Sequence, residues 1–241
     1  MSEIISSSIA LSGDRQLPEA ALQVEVIADF VCPYSYIGKR RLDRALTAVG
    51  GPAEVSWYPF QLNPDMPAEG MPFDAYLASR FGARSAVQPV LDSLTAEGRE
   101  EGIDFRFQRL ERVPNTTMAH QLMYLVEREG GSQTALAERL FAAYFEHGLD
   151  TGNPDVLETI GRAEGLSREQ LRNLKSDEKT RQFVQSRESQ VRASGLTGVP
   201  GFLLNRRLLV VGAQPTETLV TAFDRAMFGE GNDALVSPAL N

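Results

Sequence analysis

Cysteine is nearly missing from this sequence: Cys32 is the single one in 241 residues. One thiol excludes an internal disulfide framework, and a free thiol belongs where thiols stay reduced, so the expected location is cytoplasmic. Histidine is almost as scarce. His120 and His147 share no tight spacing with each other or with a second cysteine, and no metal site is expected. No apolar run approaches the roughly 20 residues that span a bilayer, so no membrane partner is expected. Positive charge is also short, 24 Lys and Arg against 32 Asp and Glu for a net −8. Binding nucleic acid through its phosphates needs clustered cations, so that partner is excluded as well. Glycine-rich phosphate loops and internal repeats are absent. The first twenty residues are polar, broken by Gly13 and Pro18, and lack the basic start and apolar core of a signal peptide; they read as a flexible arm.

What is present, 42% apolar residues over this length, suffices for one large core or one domain with a sizeable insertion. In L-Q-V-E-V-I-A-D-F, Leu22, Val24 and Val26 alternate with polar residues and the run then turns apolar, as a strand entering a covered sheet does. This strand is expected to end near Phe30. Pro33 stands where a first helical turn tolerates proline, and Ile37, Leu42, Ala45, Leu46 and Val49 recur at helical spacing up to the Gly50-Gly51 stop. A second strand follows in A-E-V-S-W-Y-P-F-Q-L, with Val55, Trp57 and Pro59 on one face and an edge or bulge implied by the proline. From 72 to 195 the pattern is helical without an obvious strand. Ala119, Leu122, Met123 and Val126 form one apolar stripe; Leu136, Leu140, Ala143 and Tyr144 form another. Asn115 and Asn153 read as caps, and Ser167 with Gln170 has capping-box spacing. Strand character returns in V-P-G-F-L-L-N-R-R-L-L-V-V-G, a hairpin about Asn205-Arg206-Arg207, before a last helix from about Pro215 to Phe228. The fold class is therefore α/β: a discontinuous domain over 21–71 and 196–241, interrupted by an all-helical insertion over 72–195.

Strand, cysteine, helix, strand, then Val-Pro, hairpin and helix is the layout of a thioredoxin fold. It gives each part a chemical task. Unpaired amides and the macrodipole at a helix N-terminus favour a thiolate, which would lower Cys32 from about 8.5 to about 6.5; the plainer alternative is one more small buried residue. Ser35 stands where a resolving cysteine would stand. Its hydroxyl can bond the sulfur but cannot displace a captured substrate. In this fold the X-Pro bond before the hairpin is cis, so Val199 and Pro200 are expected to face Cys32 and offer backbone to an extended thiol substrate, an ordinary trans proline at the head of an edge strand being the other reading. His120 falls near an apolar stripe, where a satisfied core histidine is the plainer reading and acid-base chemistry the other. Gln214 and Thr216 open the final helix, as an ordinary cap or as a weak anion site. Phe141, Tyr144 and Phe145 read as core, with some residues of the insertion lining a groove over Cys32.

D-F-V-C-P-Y-S-Y-I-G-K, Y-P-F-Q-L-N-P, P-N-T-T-M-A-H and T-G-V-P-G-F…V-G-A-Q-P, in that order, resemble the FrnE-like branch of the DsbA family over residues 22 to 230. The resemblance implies thiol-disulfide oxidoreductase or isomerase activity, with Cys32 as nucleophile, Ser35 beside it, and Pro33, Tyr34, Val199 and Pro200 in the substrate site. Typical members carry Cys-Pro-Trp-Cys where this chain has Cys-Pro-Tyr-Ser. The chain is also similar in layout to kappa-class glutathione transferases and 2-hydroxychromene-2-carboxylate isomerases, which carry a Ser-Pro-Tyr-Ser type motif. That likeness implies glutathione as co-substrate, with no tightly bound cofactor, and Asn63, Gly212, Ala213 and Gln214 as its contacts. Three functions follow: a monothiol oxidoreductase acting on protein or small-molecule disulfides, a glutathione-dependent transferase or isomerase, and a non-catalytic interaction protein on the same fold. A homodimer is compatible with each.

Overall fold

The computed structural model describes residues 21–82 and 84–229. The flexible arm expected over 1–20 and the last residues of the closing segment, 230–241, lie outside the described residues. Strand β1, Leu22–Ala28, is followed by helix α1, Pro33–Val49, and strand β2, Ala53–Pro59. After the helix-rich insertion come β5, Gly201–Leu204, β6, Leu208–Val211, and helix α9, Thr216–Phe228. The four strands form one sheet in the order β2-β1-β5-β6. β1 runs parallel to β2 and antiparallel to β5, and β5 to β6 is an antiparallel hairpin. This is the thioredoxin arrangement. Pro59 sits at the end of an edge strand, where a missing ladder donor is tolerated.

The period-2 pattern of β1 divides the core. Leu22, Val24, Val26 and Ala28 join Trp57 on β2 and Phe202, Leu204, Leu208 and Val210 on the hairpin, under α1 and α9. Ile27 turns to the opposite face with Tyr58, Phe60, Val191 and Leu196. β1 stops at Ala28, two residues before the expected end. The hairpin turns through Asn205 and Arg206 at φ 46° and 54°. Asparagine tolerates that region, and here its Oδ1 accepts the Gln23 N–H while its Nδ2 donates to the Ala226 carbonyl, each at 2.9 Å. α1 ends as expected, at Gly50 with φ 64°. Val49 is the exception in its stripe, 44% exposed at the last turn.

The insertion comprises β3, Met71–Pro72, α2, Phe73–Phe81, α3, Arg84–Glu100, β4, Arg112–Val113, α4, Thr117–Arg128, α5, Gln133–Phe145, α6, Pro154–Ala163, α7, Arg168–Asn173, and α8, Glu178–Ala193. It is helix-rich but not all-helical, because β3 and β4 pair over two residues, Met71 with Val113 and Pro72 with Arg112. So short a ladder carries no periodicity for a sequence to display. Asn153 caps α6, and Ser167 and Gln170 form the reciprocal capping box of α7. Asn115 acts one residue ahead of the cap position: its Oδ1 accepts the Thr117 N–H and its Nδ2 donates to the Met66 carbonyl, pinning α4 to the loop after β2.

The insertion does not form a core of its own. Phe141 on α5 lies 5.2 Å from the Phe30 ring, 5.0 Å from Tyr36 and 6.4 Å from Trp57. Phe141, Tyr144 and Phe145 are all buried core residues, as expected.

Candidate active site

Cys32 occupies the N-cap of α1, between the end of β1 and Pro33 at the first helical position. Its carbonyl accepts the Ser35 N–H at 3.0 Å, closing the first turn. Its thiol donates to the Val199 carbonyl at 3.6 Å, and the Val199-Pro200 peptide is cis. The sulfur and the Val-Pro peptide, 167 residues apart in sequence, therefore meet as expected. Gly38 allows this approach: a Cβ there would stand 2.9 Å from Pro200 Cγ and 3.1 Å from Phe202 Cζ.

The electrostatics differ from expectation. Cys32 is 4% exposed, and burial pushes its thiol up to about 11. The Ser35 hydroxyl and the Ser35 and Tyr34 amides act to lower it, and the Asp29 charge adds to the rise. The helix terminus is present, but the desolvation cost of a buried thiolate outweighs it. At neutral pH the thiol holds its proton.

Ser35 is 1% exposed, and its Oγ has no hydrogen-bond partner among the described residues beyond its contact with the Cys32 thiol. Tyr34 projects from the same turn, 45% exposed. The Gly212–Gln214 turn is tied to the Val-Pro peptide by the Gly212 N–H, which donates to the Pro200 carbonyl at 2.8 Å. Two polar groups proposed there as contacts are used internally: the Ala213 carbonyl accepts from Arg41, and Gln214 Nε2 donates to the Val211 carbonyl. Neither Gln214 nor Thr216 caps α9, whose N-cap is Pro215 without a side-chain bond. Asn63 keeps a buried Nδ2 without a hydrogen-bond partner among the described residues. It follows Leu62, whose N–H donates to Asp29 Oδ2 at 2.7 Å.

Three residues at this site were not singled out from the sequence. Asp29 is fully buried at the head of the turn leading to Cys32; an acid closing an apolar run was its available signal. Gly38 gave none. Arg41 donates to the Ala213 carbonyl at 2.5 Å, pairs Glu101 at 2.7 Å and meets Glu97 at 2.9 Å, so it fastens the Gly212–Gln214 turn to α3. His120 is buried in the core, and its Nε2 makes no hydrogen bond among the described residues but stands 3.7 Å from Asp29 Oδ1.

A cavity of about 720 Å³ opens between the loop after β2 and helices α4 and α8, walled by Gln61, Asn115, Lys175 and Arg181 but not by Cys32. No group of three or more His, Cys, Asp or Glu side chains among the described residues could hold a metal ion. No helix there is long and apolar enough to cross a membrane.

Fold and site together define a thioredoxin-fold protein with one thiol at the start of α1, set against a cis Val-Pro peptide. Residues 23–224 match the DSBA-like thioredoxin domain, and the chain belongs to that family. Among solved structures it is similar to SCO1869 of Streptomyces coelicolor, a probable DsbA oxidoreductase, with 28% identity, a TM-score of 0.77, and coverage of 90% of this chain and 94% of that one. The fold is shared with a 2-hydroxychromene-2-carboxylate isomerase at 16% identity and a TM-score of 0.65, covering 84% and 95% of the two chains. It is shared also with the cytosolic disulfide reductase DsbM of Pseudomonas aeruginosa, whose structure contains GSH, at 18% identity and a TM-score of 0.57, covering 85% and 95%.

Proposed function

We propose that this protein is a monothiol thiol-disulfide oxidoreductase. Cys32 attacks a disulfide of a protein or small molecule, the substrate's backbone lies along Val199, and an external thiol such as glutathione resolves the mixed disulfide. The observation that carries this reading is the contact between the Cys32 thiol and the Val199 carbonyl. It puts the sulfur beside a peptide edge against which an extended substrate can pair. With serine at position 35, release falls to a thiol from solution, which suits a reducing compartment such as the cytosol.

A second reading has its own support. A thiol that stays protonated at neutral pH, next to the Ser35 hydroxyl, offers two donors to a thiolate brought in by glutathione once the thiol turns from the Val199 carbonyl. In that case the protein is a glutathione-dependent transferase or isomerase and Cys32 forms no covalent bond. Cys32→Ser separates the two, because a hydroxyl can donate but cannot form a disulfide. Loss of glutathione-dependent disulfide turnover in that variant supports the monothiol reading; retained turnover overturns it.

A further inference from the structure

The cavity beside α4 and α8 stands apart from the thiol, since Cys32 is not among its walls. Its volume of about 720 Å³ lies within the roughly 300–1,000 Å³ that bury a small ligand. Two buried polar atoms of opposite kind, on side chains that wall it, make no hydrogen bond among the described residues: Gln121 Oε1, an acceptor, and Arg181 Nε, a donor. Both side chains are held at the turn between α7 and α8. Gln121, fully buried, donates through Nε2 to the Leu174 and Asp177 carbonyls at 3.2 and 3.1 Å. Arg181 donates through Nη2 to the Lys175 carbonyl at 2.7 Å, while its Nε stays 3.7 Å from the Glu178 carboxylate. With their other ends fixed in this way, neither atom can turn to a protein partner without breaking a bond already made. An unpaired buried polar group is costly, so a ligand that pairs both is favoured.

The charges on the walls narrow the ligand further. Lys175 lies on the same turn, and Thr117 and Met118 bring the start of α4 to the cavity. That helix has no side-chain bond from its N-cap Thr116; Asn115 Oδ1 accepts the Thr117 N–H and leaves the next amides of the first turn without a cap. Cations and helix-start amides together suit a carboxylate. Glu69, in the loop after β2, and Asp150, in the loop before α6, contribute the opposite sign. Neither of these acids, nor Lys175, is in an ion pair among the described residues. A ligand that is only anionic would meet the two carboxylates, and one that is only cationic would meet Lys175 and Arg181. We propose that the cavity binds a short peptide with both termini free. Its carboxylate meets Lys175, Arg181 and the start of α4, its ammonium group meets Asp150, and one of its N–H groups is accepted by Gln121 Oε1. A lone amino acid carries the same charges but leaves most of the volume to water. Binding here is non-covalent and goes beyond the monothiol reading, because it uses no reaction at Cys32.

The test is calorimetric titration of the unmutated chain, Lys175→Gln, Asp150→Asn and Cys32→Ser with triglycine, N-acetyltriglycine, triglycinamide and glycine. Asparagine at 150 keeps the bond that Asp150 Oδ1 accepts from the Gly152 N–H, and Lys175 is exposed, so both cavity variants are expected to fold. Triglycine is expected to bind the unmutated chain with a Kd of about 1 mM or tighter. The two blocked peptides, each missing one charge-assisted bond, are expected to bind about tenfold more weakly. Lys175→Gln should weaken triglycine about tenfold and leave triglycinamide unchanged, whereas Asp150→Asn should weaken triglycine about tenfold and leave N-acetyltriglycine unchanged. Cys32→Ser should bind triglycine as the unmutated chain does. No binding of triglycine up to about 10 mM, or equal affinity for the blocked peptides, overturns the proposal. Binding that is lost in Cys32→Ser and intact in Lys175→Gln puts the ligand at the sulfur and overturns it too. Glycine bound as tightly as triglycine overturns the assignment to a peptide. The glutathionyl adduct at Cys32 is a separate readout, so each of these failures leaves the monothiol reading standing.

Discussion

At the scale of single residues, the balance between a helix terminus and burial sets the state of Cys32. A terminus contributes at most about 2 kcal/mol to a nearby charge, whereas desolvation can move a fully buried group by several pK units. Burial wins here, raising the thiol from 9.0 to about 11. The native chain therefore keeps a proton that the unfolded chain loses. The stability this contributes is fully present below pH 9 and lost as pH rises toward 11. Two pK units correspond to about 3 kcal/mol. The ultraviolet absorbance of the thiolate, taken as the difference between the unmutated chain and Cys32→Ser, is expected to rise near pH 11, with the stability difference between the two chains shrinking over the same range. A rise near 6.5 would show that the terminus prevails. The position of Cys32 at a helix start and its facing of Val199 were legible from the order D-F-V-C-P and the later V-P. Its burial was not, because the atoms that exclude water from it come from segments far away in sequence.

At the scale of elements, the site depends on how closely α1 approaches the Val-Pro peptide. Alanine in place of glycine at an uncrowded mid-helix position stabilises by about 1 kcal/mol. At Gly38 the new Cβ would lie 2.9 Å from Pro200 Cγ, in ring carbons held by the β5 entry. Gly38→Ala is thus expected to destabilise the chain by about 1–3 kcal/mol, measured by urea unfolding, and to slow reaction at Cys32. A gain in stability would show that α1 and the peptide are not in close contact. The elements themselves were readable wherever a period extended over several turns or strand residues, as in α1, α4, α5 and the hairpin. The β3–β4 ladder and the Arg41 links to Ala213, Glu97 and Glu101 were not, since each joins short or irregular segments whose local pattern says nothing of its partner.

At the scale of the whole molecule, the insertion and the sheet share one core through Phe30, Tyr36, Trp57 and Phe141. Ion pairs along α1 reinforce the join: Glu138 on α5 accepts from Lys39, Arg40 and Tyr36 at 2.5, 2.6 and 2.8 Å. Burial acts to raise the Glu138 carboxyl, but these bonds and the charges of Lys39 and Arg40 hold it below the usual carboxylate range. The insertion is thereby fixed to the helix that starts at Cys32. The most direct measurement of the central claim is the intact mass of the native chain after incubation with oxidised glutathione. One glutathionyl adduct, mapped to the peptide containing Cys32 and removed by excess reduced glutathione, is the predicted result. A native chain that takes up no adduct, while the urea-unfolded chain takes up one, would contradict the account.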